Sequence, residues 1–336
     1  MPILALDVGG ANLKIADGAG HAASVPFPLW KMPERLPAAL SELIRAAPPA
    51  ERFVATMTGE LADCFETKAD GVRAIITALE EATADHDLRI YLTDGSFVAP
   101  AAAMARPLEA AASNWYALAC FVARYVSSPA GLLIDIGSTT CDIIPLVDGR
   151  VAAEGRTDPA RLASGELVYT GVVRSPVCAV ARNLPWQGRS CPTAHELFAT
   201  TRDAYLLLGE LAEDPAATDT ADGRPATRAA ARDRLARTIC ADRHMFSADD
   251  ALVAAEAIRE AQVEQISAAV ARVVARLPVR PVTIVLAGEG EFLAYRVINQ
   301  LRLAVETISL SAKLGPIVSR CAPAHALAVL ARESRS

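Results

Sequence analysis

Leu4-Ala5-Leu6-Asp7-Val8-Gly9-Gly10-Ala11-Asn12-Leu13-Lys14-Ile15 and Leu132-Leu133-Ile134-Asp135-Ile136-Gly137-Ser138-Thr139-Thr140-Cys141-Asp142-Ile143 are two versions of one pattern. Asp7 falls on Asp135, Gly9 on Gly137 and Lys14 on Asp142, each at an offset of 128 positions. Each copy reads as a buried apolar strand, an Asp, a tight turn with glycine, and a second strand closed by Asp-Gly (Asp17-Gly18, Asp148-Gly149). Such a turn aims successive backbone N–H groups into one concavity, which binds anions. Glycine permits the positive φ and close backbone approach that this requires. Two such turns facing each other form a clamp for a diphosphate or triphosphate. The candidate phosphate contacts are Gly9, Gly10 and Asn12 in the first turn and Gly137, Ser138, Thr139 and Thr140 in the second. Asp7 and Asp135 suit a hard cation such as Mg²⁺, which is held by one or two carboxylates plus phosphate oxygens.

Composition narrows the function classes. At 336 residues, two domains are the expectation. With 52% hydrophobic and 21% charged residues the chain has an ordinary globular composition, not that of a disordered segment. The net charge of −6 comes without any basic stripe, so nucleic acid is not an expected partner. Met1 leads straight into a strand that contains Asp7, unlike a signal peptide. No apolar run reaches the roughly 18 residues of a membrane span. The Ala-rich stretch from Phe97 to Ala112 is broken by Pro100, Arg106, Pro107 and Glu109. Seven scattered cysteines without Cys-x-x-Cys fit reduced thiols and a cytoplasmic location.

Further elements follow from periodicity. Helices are predicted near Ala38–Ala47, over Gly71–Ala84 and Pro107–Val126, within Pro192–Leu208, and over Arg228–Arg237, Ala248–Arg276, Phe292–Leu301 and Pro323–Arg332. In Gly71–Ala84 the apolar residues Val72, Ile75, Ile76 and Leu79 recur at helical spacing. Strands are predicted at Phe53–Met57, Ile90–Thr93, Val168–Val173, Pro281–Leu286 and around Val305–Leu310. The polar stretch Glu213–Thr227 reads as a surface loop. Alternating strands and helices predict a largely parallel α/β architecture. The expected division is a first domain over 1–128 with the C-terminal helix 322–336 packing on it. A second domain covers 129–321 with a helical insertion at about 190–275.

Two phosphate turns in register, followed by a Gly288-Glu289-Gly290 turn after a late strand, resemble the actin, sugar kinase and heat-shock chaperone superfamily. That resemblance covers nearly the whole chain. It implies two duplicated actin-like (ribonuclease H-like) α/β domains around a central cleft, with Gly288, Glu289 and Gly290 at the position of an adenosine-type turn. Lys14 matches a basic residue that touches phosphate in some members. Four further segments narrow the match: Thr56-Met57-Thr58-Gly59-Glu60-Leu61, Arg161-Leu162 through Arg174-Ser175-Pro176, Phe198 to Gly209, and Val285 to Leu293. Together they resemble the hydantoinase/oxoprolinase-related proteins of tetrahydromethanopterin-linked one-carbon transfer, a family that includes the methanofuran-biosynthesis aryl-ether synthase. The resemblance implies a transferase that joins (aminomethyl)furanmethyl diphosphate to the phenol of a γ-glutamyltyramine-type acceptor and releases diphosphate.

That chemistry assigns provisional roles. The two turns, Lys14 and a Mg²⁺ on Asp7 and Asp135 would neutralise charge on the leaving diphosphate. Glu60 and Asp142 are candidates for the base or metal relay; equally, Glu60 fits a helix start and Asp142 an orienting role in the second turn. Thr58 and Arg174 are candidate substrate contacts, Arg174 toward a γ-glutamyl carboxylate or a phosphate, with a surface ion pair as its alternative. Asn114-Trp115 fits either the cleft lining or the core. The expected partners are a small-molecule diphosphate and a phenolic acceptor, with a homodimer left open, and no nucleic acid or membrane. Cys178, Cys191 and His195 match no strong zinc spacing. No Gly-x-Ser-x-Gly elbow and no Walker sequence occur. Within the superfamily, an ATP-dependent kinase or amidohydrolase is the alternative. Glu289 argues against ATP, because many nucleotide-binding members carry a Gly-Gly pair there.

Overall fold

In the computed structural model, which describes residues 2–84 and 86–334, the two opening stretches build the same substructure twice. Strands β1 (Ile3–Val8) and β2 (Asn12–Ala16) form an antiparallel hairpin, and β3 (Ala22–Pro26) pairs with β2. Strands β4 (Arg52–Met57) and β5 (Asp87–Tyr91) continue parallel to β1, and β6 (Phe97–Val98) closes the edge antiparallel. In the second half, β7 (Ala130–Ile136) and β8 (Cys141–Val147) form the hairpin, with β9 (Arg150–Val151) and β10 (Leu167–Val168) both pairing with β8. A separate ribbon, β11 (Asn183–Trp186) with β12 (Arg189–Pro192), follows. Strands β13 (Thr283–Ala287) and β14 (Glu306–Ser309) complete the second sheet parallel to β7. The sheet orders β3-β2-β1-β4-β5-β6 and β10-β8-β7-β13-β14 share one plan.

Both central strands are buried on two faces, which is why they read as near-continuous apolar runs. Successive side chains alternate across each sheet. Leu4, Leu6 and Val8 pack under the helices Leu36–Arg45 and Lys68–Thr83, while Ile3 and Ala5 pack under the helix Ala322–Glu333. Leu132, Ile134 and Ile136 meet the long helix Ala248–Val274, while Leu133 meets the helix Asn114–Val122. These last two covering helices, Asn114–Val122 and Ala322–Glu333, also pack on each other. The helix that ends the first stretch therefore lies on the second sheet, and the final helix lies on the first.

Three predicted elements differ from those observed. The helix expected over Pro107–Val126 is broken into Pro107–Ala110 and Asn114–Val122, ending in a 3-10 turn at Ala123–Tyr125. The break occurs where the buried Ser113 hydroxyl donates to the Tyr91 carbonyl at 2.9 Å and lies 2.7 Å from the Thr56 hydroxyl. Ala112 there adopts a positive φ of 48°. The helical region expected from Pro192 starts only at Thr201, because Arg189–Pro192 pairs into the β11–β12 ribbon. The strand expected over Val168–Val173 stops at Val168; the following backbone turns away to support the turn at Gly137–Thr140. Strand β3 was not anticipated. Its Pro26 is tolerated at a sheet edge.

The helical insertion has its own buried ion network. Arg234, fully buried, meets Asp203 at 2.7 Å and Asp222 at 3.0 Å. Asp203 also closes a capping box with Thr200 at the start of the helix Thr201–Leu208. The Phe198–Gly209 segment thus has a structural explanation. Among the described residues, no helix is long and apolar enough to cross a membrane.

Gly71 admits the helix Lys68–Thr83 close to the Glu60 turn, since a Cβ there would overlap the Glu60 backbone carbonyl. Overpacking of this kind costs about 1–3 kcal/mol. It should outweigh the roughly 1 kcal/mol by which Ala exceeds Gly in helix propensity. Gly71→Ala is therefore expected to lower stability in urea unfolding; an unchanged or raised midpoint would contradict the close packing.

Candidate functional site

The turns that follow Asp7 and Asp135 are closed by the same hydrogen bond. The Gly9 N–H donates to the Asn12 carbonyl at 3.0 Å, and the Gly137 N–H donates to the Thr140 carbonyl at 2.9 Å. The amides between those closures, on Gly10, Ala11, Ser138 and Thr139, donate to no protein acceptor among the described residues. Free amides in a tight turn are an anion cradle. Each turn is also backed by another segment. Thr58 and Gly59 donate to the Val8 carbonyl at 2.9 and 3.0 Å, and Leu29 donates to the Gly10 carbonyl at 2.9 Å. Val172 donates to Gly137 and Val173 to Ser138, both at 3.0 Å, and Arg174 donates to Ser138 at 2.9 Å. This support places exposed Thr58 beside the first turn and exposed Arg174 beside the second.

The hairpin register sets the charges. Asp7 lies opposite Lys14, and Asp135 lies opposite Asp142. Asp7 is buried, and its Oδ1 has no hydrogen-bond partner among the described residues. Burial raises its carboxyl above the ordinary range, and Lys14 works against that rise. Asp135 is pushed up to about 7, first by burial and then by the Asp142 charge; Lys14 opposes this, while Asp7 and Glu291 add to it. One ammonium thus acts on the key carboxylates of both halves. Asp142 is raised by burial and held down by Arg161, a buried guanidinium that bonds its carboxylate directly. Asp142 is therefore engaged, and the orienting role fits it better than that of a free base. In the second half Arg161 supplies the cation that Lys14 supplies in the first.

Glu60 lies in a turn, eight residues ahead of the helix Lys68–Thr83, and does not start it. It is 1% exposed, and its Oε2 has no partner among the described residues. Its Oε1 lies 3.5 Å from the Lys68 ammonium, which also meets Asp158 at 2.8 Å. Burial raises the Glu60 carboxyl, and Lys68 draws it back. Among the described residues Arg174 forms no ion pair; its guanidinium stacks on the Trp30 ring at 4.7 Å. Trp115 belongs to the core, with Arg161 stacked over it at 4.1 Å.

The Gly288-Glu289-Gly290 turn packs on the second hairpin. Gly288 has φ +83°, and a Cβ there would strike Asp135 Oδ1 and the Ile136 carbonyl. The Gly290 N–H donates to the Ile136 carbonyl at 2.9 Å. Close approach to Asp135 thus accounts for the Gly288 position. Glu289 points outward and pairs with Arg320 at 3.4 Å.

Among the described residues, no three His, Cys, Asp or Glu side chains gather as a metal cage. Mg²⁺ does not require one, since two carboxylates with phosphate and water oxygens suffice. The unpartnered Asp7 oxygen and Asp135 fit that donor set. Sequence reasoning missed Lys68, Asp158, Arg161 as a charge partner, and Trp30. Arg161 stood within a quoted segment; the others carry no local signal, because their partners lie far away in the chain.

The raised Asp135 carboxyl has a definite pH signature. Below its ordinary value of 3.8 the group is protonated in folded and unfolded chains alike, and burial is tolerated. Between that value and about 7 the unfolded chain is ionised while the folded group still holds its proton, so stability falls as pH rises and levels off above about 7. In metal-free buffer, Asp135→Asn should therefore gain in melting temperature over the wild type between pH 5 and pH 8. A gap that stays constant or shrinks over that range, measured by calorimetry, would contradict the assignment.

Residues 52–334 match the hydantoinase/oxoprolinase family model. The (4-{4-[2-(gamma-L-glutamylamino)ethyl]phenoxymethyl}furan-2-yl)methanamine synthase of Methanocaldococcus jannaschii is 34% identical over 334 residues, covering 98% of this chain and 97% of the relative. The synthase of the same name from Methanococcus vannielii is 31% identical over 201 residues, 59% of this chain and 89% of the relative. Among solved structures, nucleotide-free acetone carboxylase matches with a TM-score of 0.55 at 12% identity, over 97% of this chain and 70% of that one. The fold is the duplicated actin-like α/β fold, and the chain belongs to the hydantoinase/oxoprolinase family.

Proposed function

We propose that this protein is a transferase that joins an (aminomethyl)furanmethyl diphosphate to the phenol of a γ-glutamyltyramine-type acceptor, releasing diphosphate, in the synthesis of a methanofuran-type cofactor. The observation that carries the reading is the pair of turns with unpartnered amides beside Lys14, in a chain that aligns end to end with a synthase named for such an aryl ether. The bond from the furfuryl carbon to the diphosphate oxygen breaks, and the oxygen keeps the electron pair. The furan oxygen stabilises the resulting cation. The phenol oxygen then bonds to that carbon and gives up its proton.

Each residue has a part in this scheme. The amides of Gly10, Ala11, Ser138 and Thr139 and the Lys14 ammonium receive the growing negative charge. Gly9, Asn12, Gly137 and Thr140 close the turns that hold those amides in place. Mg²⁺ held by Asp7 and Asp135 would add positive charge at the same leaving group. Glu60 takes the phenol proton, since its Oε2 is buried and unpartnered whereas Asp142 is tied to Arg161. Leu61 beside it, and Leu162 four residues beyond Asp158, are 63% and 45% exposed and offer apolar surface to an aromatic acceptor. Arg174 on its Trp30 platform suits the acceptor's carboxylate.

A coupling assay read by mass spectrometry tests the reading. Purified protein, Mg²⁺ and the furanmethyl diphosphate are incubated without ATP, with tyrosine, tyramine or their γ-glutamyl forms as acceptor. The expected result is an aryl ether with one diphosphate released per product, reduced about 100-fold or more in Asp7→Ala and Asp135→Ala. In the same assay, Arg174→Ala should raise the KM for γ-glutamyl acceptors and leave that for tyramine almost unchanged. Failure with every acceptor, together with ATP turnover once ATP is added, would replace this reading with a kinase or amidohydrolase.

A further inference from the structure

We propose that Lys68 and Asp158 form a clamp between the two halves of the cleft that positions Glu60, so that the proton acceptor is set only when the halves are closed on each other. The inference rests on the reading of Glu60 as the group that takes the phenol proton. Lys68 belongs to the first half and Asp158 to the second, yet their charged atoms lie 2.8 Å apart. The same ammonium reaches Glu60 at 3.5 Å.

The position of Lys68 in its helix is the informative detail. It is the first residue of the helix Lys68–Thr83, where the helix dipole disfavours a cation. Asp158 is the first residue of the helix Asp158–Ser164, where an anion is favoured. Helix stability thus accounts for Asp158 but not for Lys68, whose placement is explained by the two carboxylates it joins. Lys68 and Asp158 are the charged side chains that act on Glu60. Behind them the same helix continues the alternation. Arg161 lies 3.7 Å from Asp158 and grips Asp142, the register partner of Asp135. A chain of alternating charge therefore runs Glu60, Lys68, Asp158, Arg161, Asp142, from the proton acceptor to the second carboxylate pair. The neighbouring Arg156 donates to the Thr93 carbonyl at 2.7 Å, so this segment touches the first half at a further point. Opening the cleft would part Lys68 from Asp158 and leave Glu60 with a mobile ammonium.

Lys68 is in this sense a positioning residue, and its test needs readouts that a merely structural role would not move. Lys68→Met should lower kcat for aryl-ether formation about 100-fold and leave the KM for the diphosphate nearly unchanged. Lys68→Arg should recover most of the loss, and Asp158→Asn combined with Lys68→Met should be no worse than Lys68→Met alone. Loss of the ammonium beside Glu60 should move the acid limb of the kcat profile to higher pH. Small-angle scattering, which needs no turnover, should give a larger radius of gyration for Lys68→Met and Asp158→Asn than for the wild type, with urea midpoints showing that both remain folded. Wild-type kcat in Lys68→Met, or unchanged scattering in both variants, would overturn the clamp. A wild-type protein that forms no aryl ether would sink the underlying reading instead, and the scattering would still decide the clamp.

Discussion

Two carboxylates, Asp7 and Asp135, stand near the ends of strands buried on both faces, and much of the surrounding structure answers the cost of keeping charge there. An isolated buried carboxylate is expensive unless paired or held by a cation. The protein supplies only part of that compensation. Lys14 serves both groups, and the nearby amides of both turns are left free. The unpartnered Asp7 oxygen keeps capacity for a cation, and the turn amides keep capacity for an anion.

The duplication is geometric before it is chemical. The hairpins share sheet position, register and closing hydrogen bond, yet the residue opposite the Asp is a lysine in one and a second aspartate in the other. In the second half the cation is recruited from the helix Asp158–Ser164, through Arg161. That exchange gives the halves different tasks. The first keeps its Lys14 ammonium outside any salt bridge among the described residues, acting on Asp7 and Asp135 alike. The second locks its own charges internally and, through Asp158, reaches Lys68 of the first.

What was legible in the sequence is what repeats or alternates locally. The hairpins showed themselves through two apolar runs with Asp and Gly at a common offset, and the helices through their periodic apolar faces. The β11–β12 ribbon was hidden because its turn, Gln187-Gly188, joins two strands of only four residues, each carrying a proline (Pro185 and Pro192) that argues against a strand. The break before Asn114 was hidden because it depends on a hydroxyl pair between Ser113 and Thr56, 57 residues apart. The same holds for the site. Asp7, Lys14 and Asp135 follow from the pattern, whereas Lys68 finds Asp158 and Arg174 finds Trp30 only through the tertiary fold. The glycine turn at 288–290 was legible as a turn, but its reason, contact with Asp135, was not.

The crossed helices between the sheets bear on how the chain is made. Strand β1 is made well before the helix that covers it, and the surface formed by Ile3, Ala5 and Val54 waits for Ala324, Leu327 and Ala328. Domains ordinarily fold in order of synthesis, N-terminal first. Here the first sheet to be completed in sequence keeps an apolar face open until the helix Ala322–Glu333 has been made, so that face is exposed to premature association in the meantime.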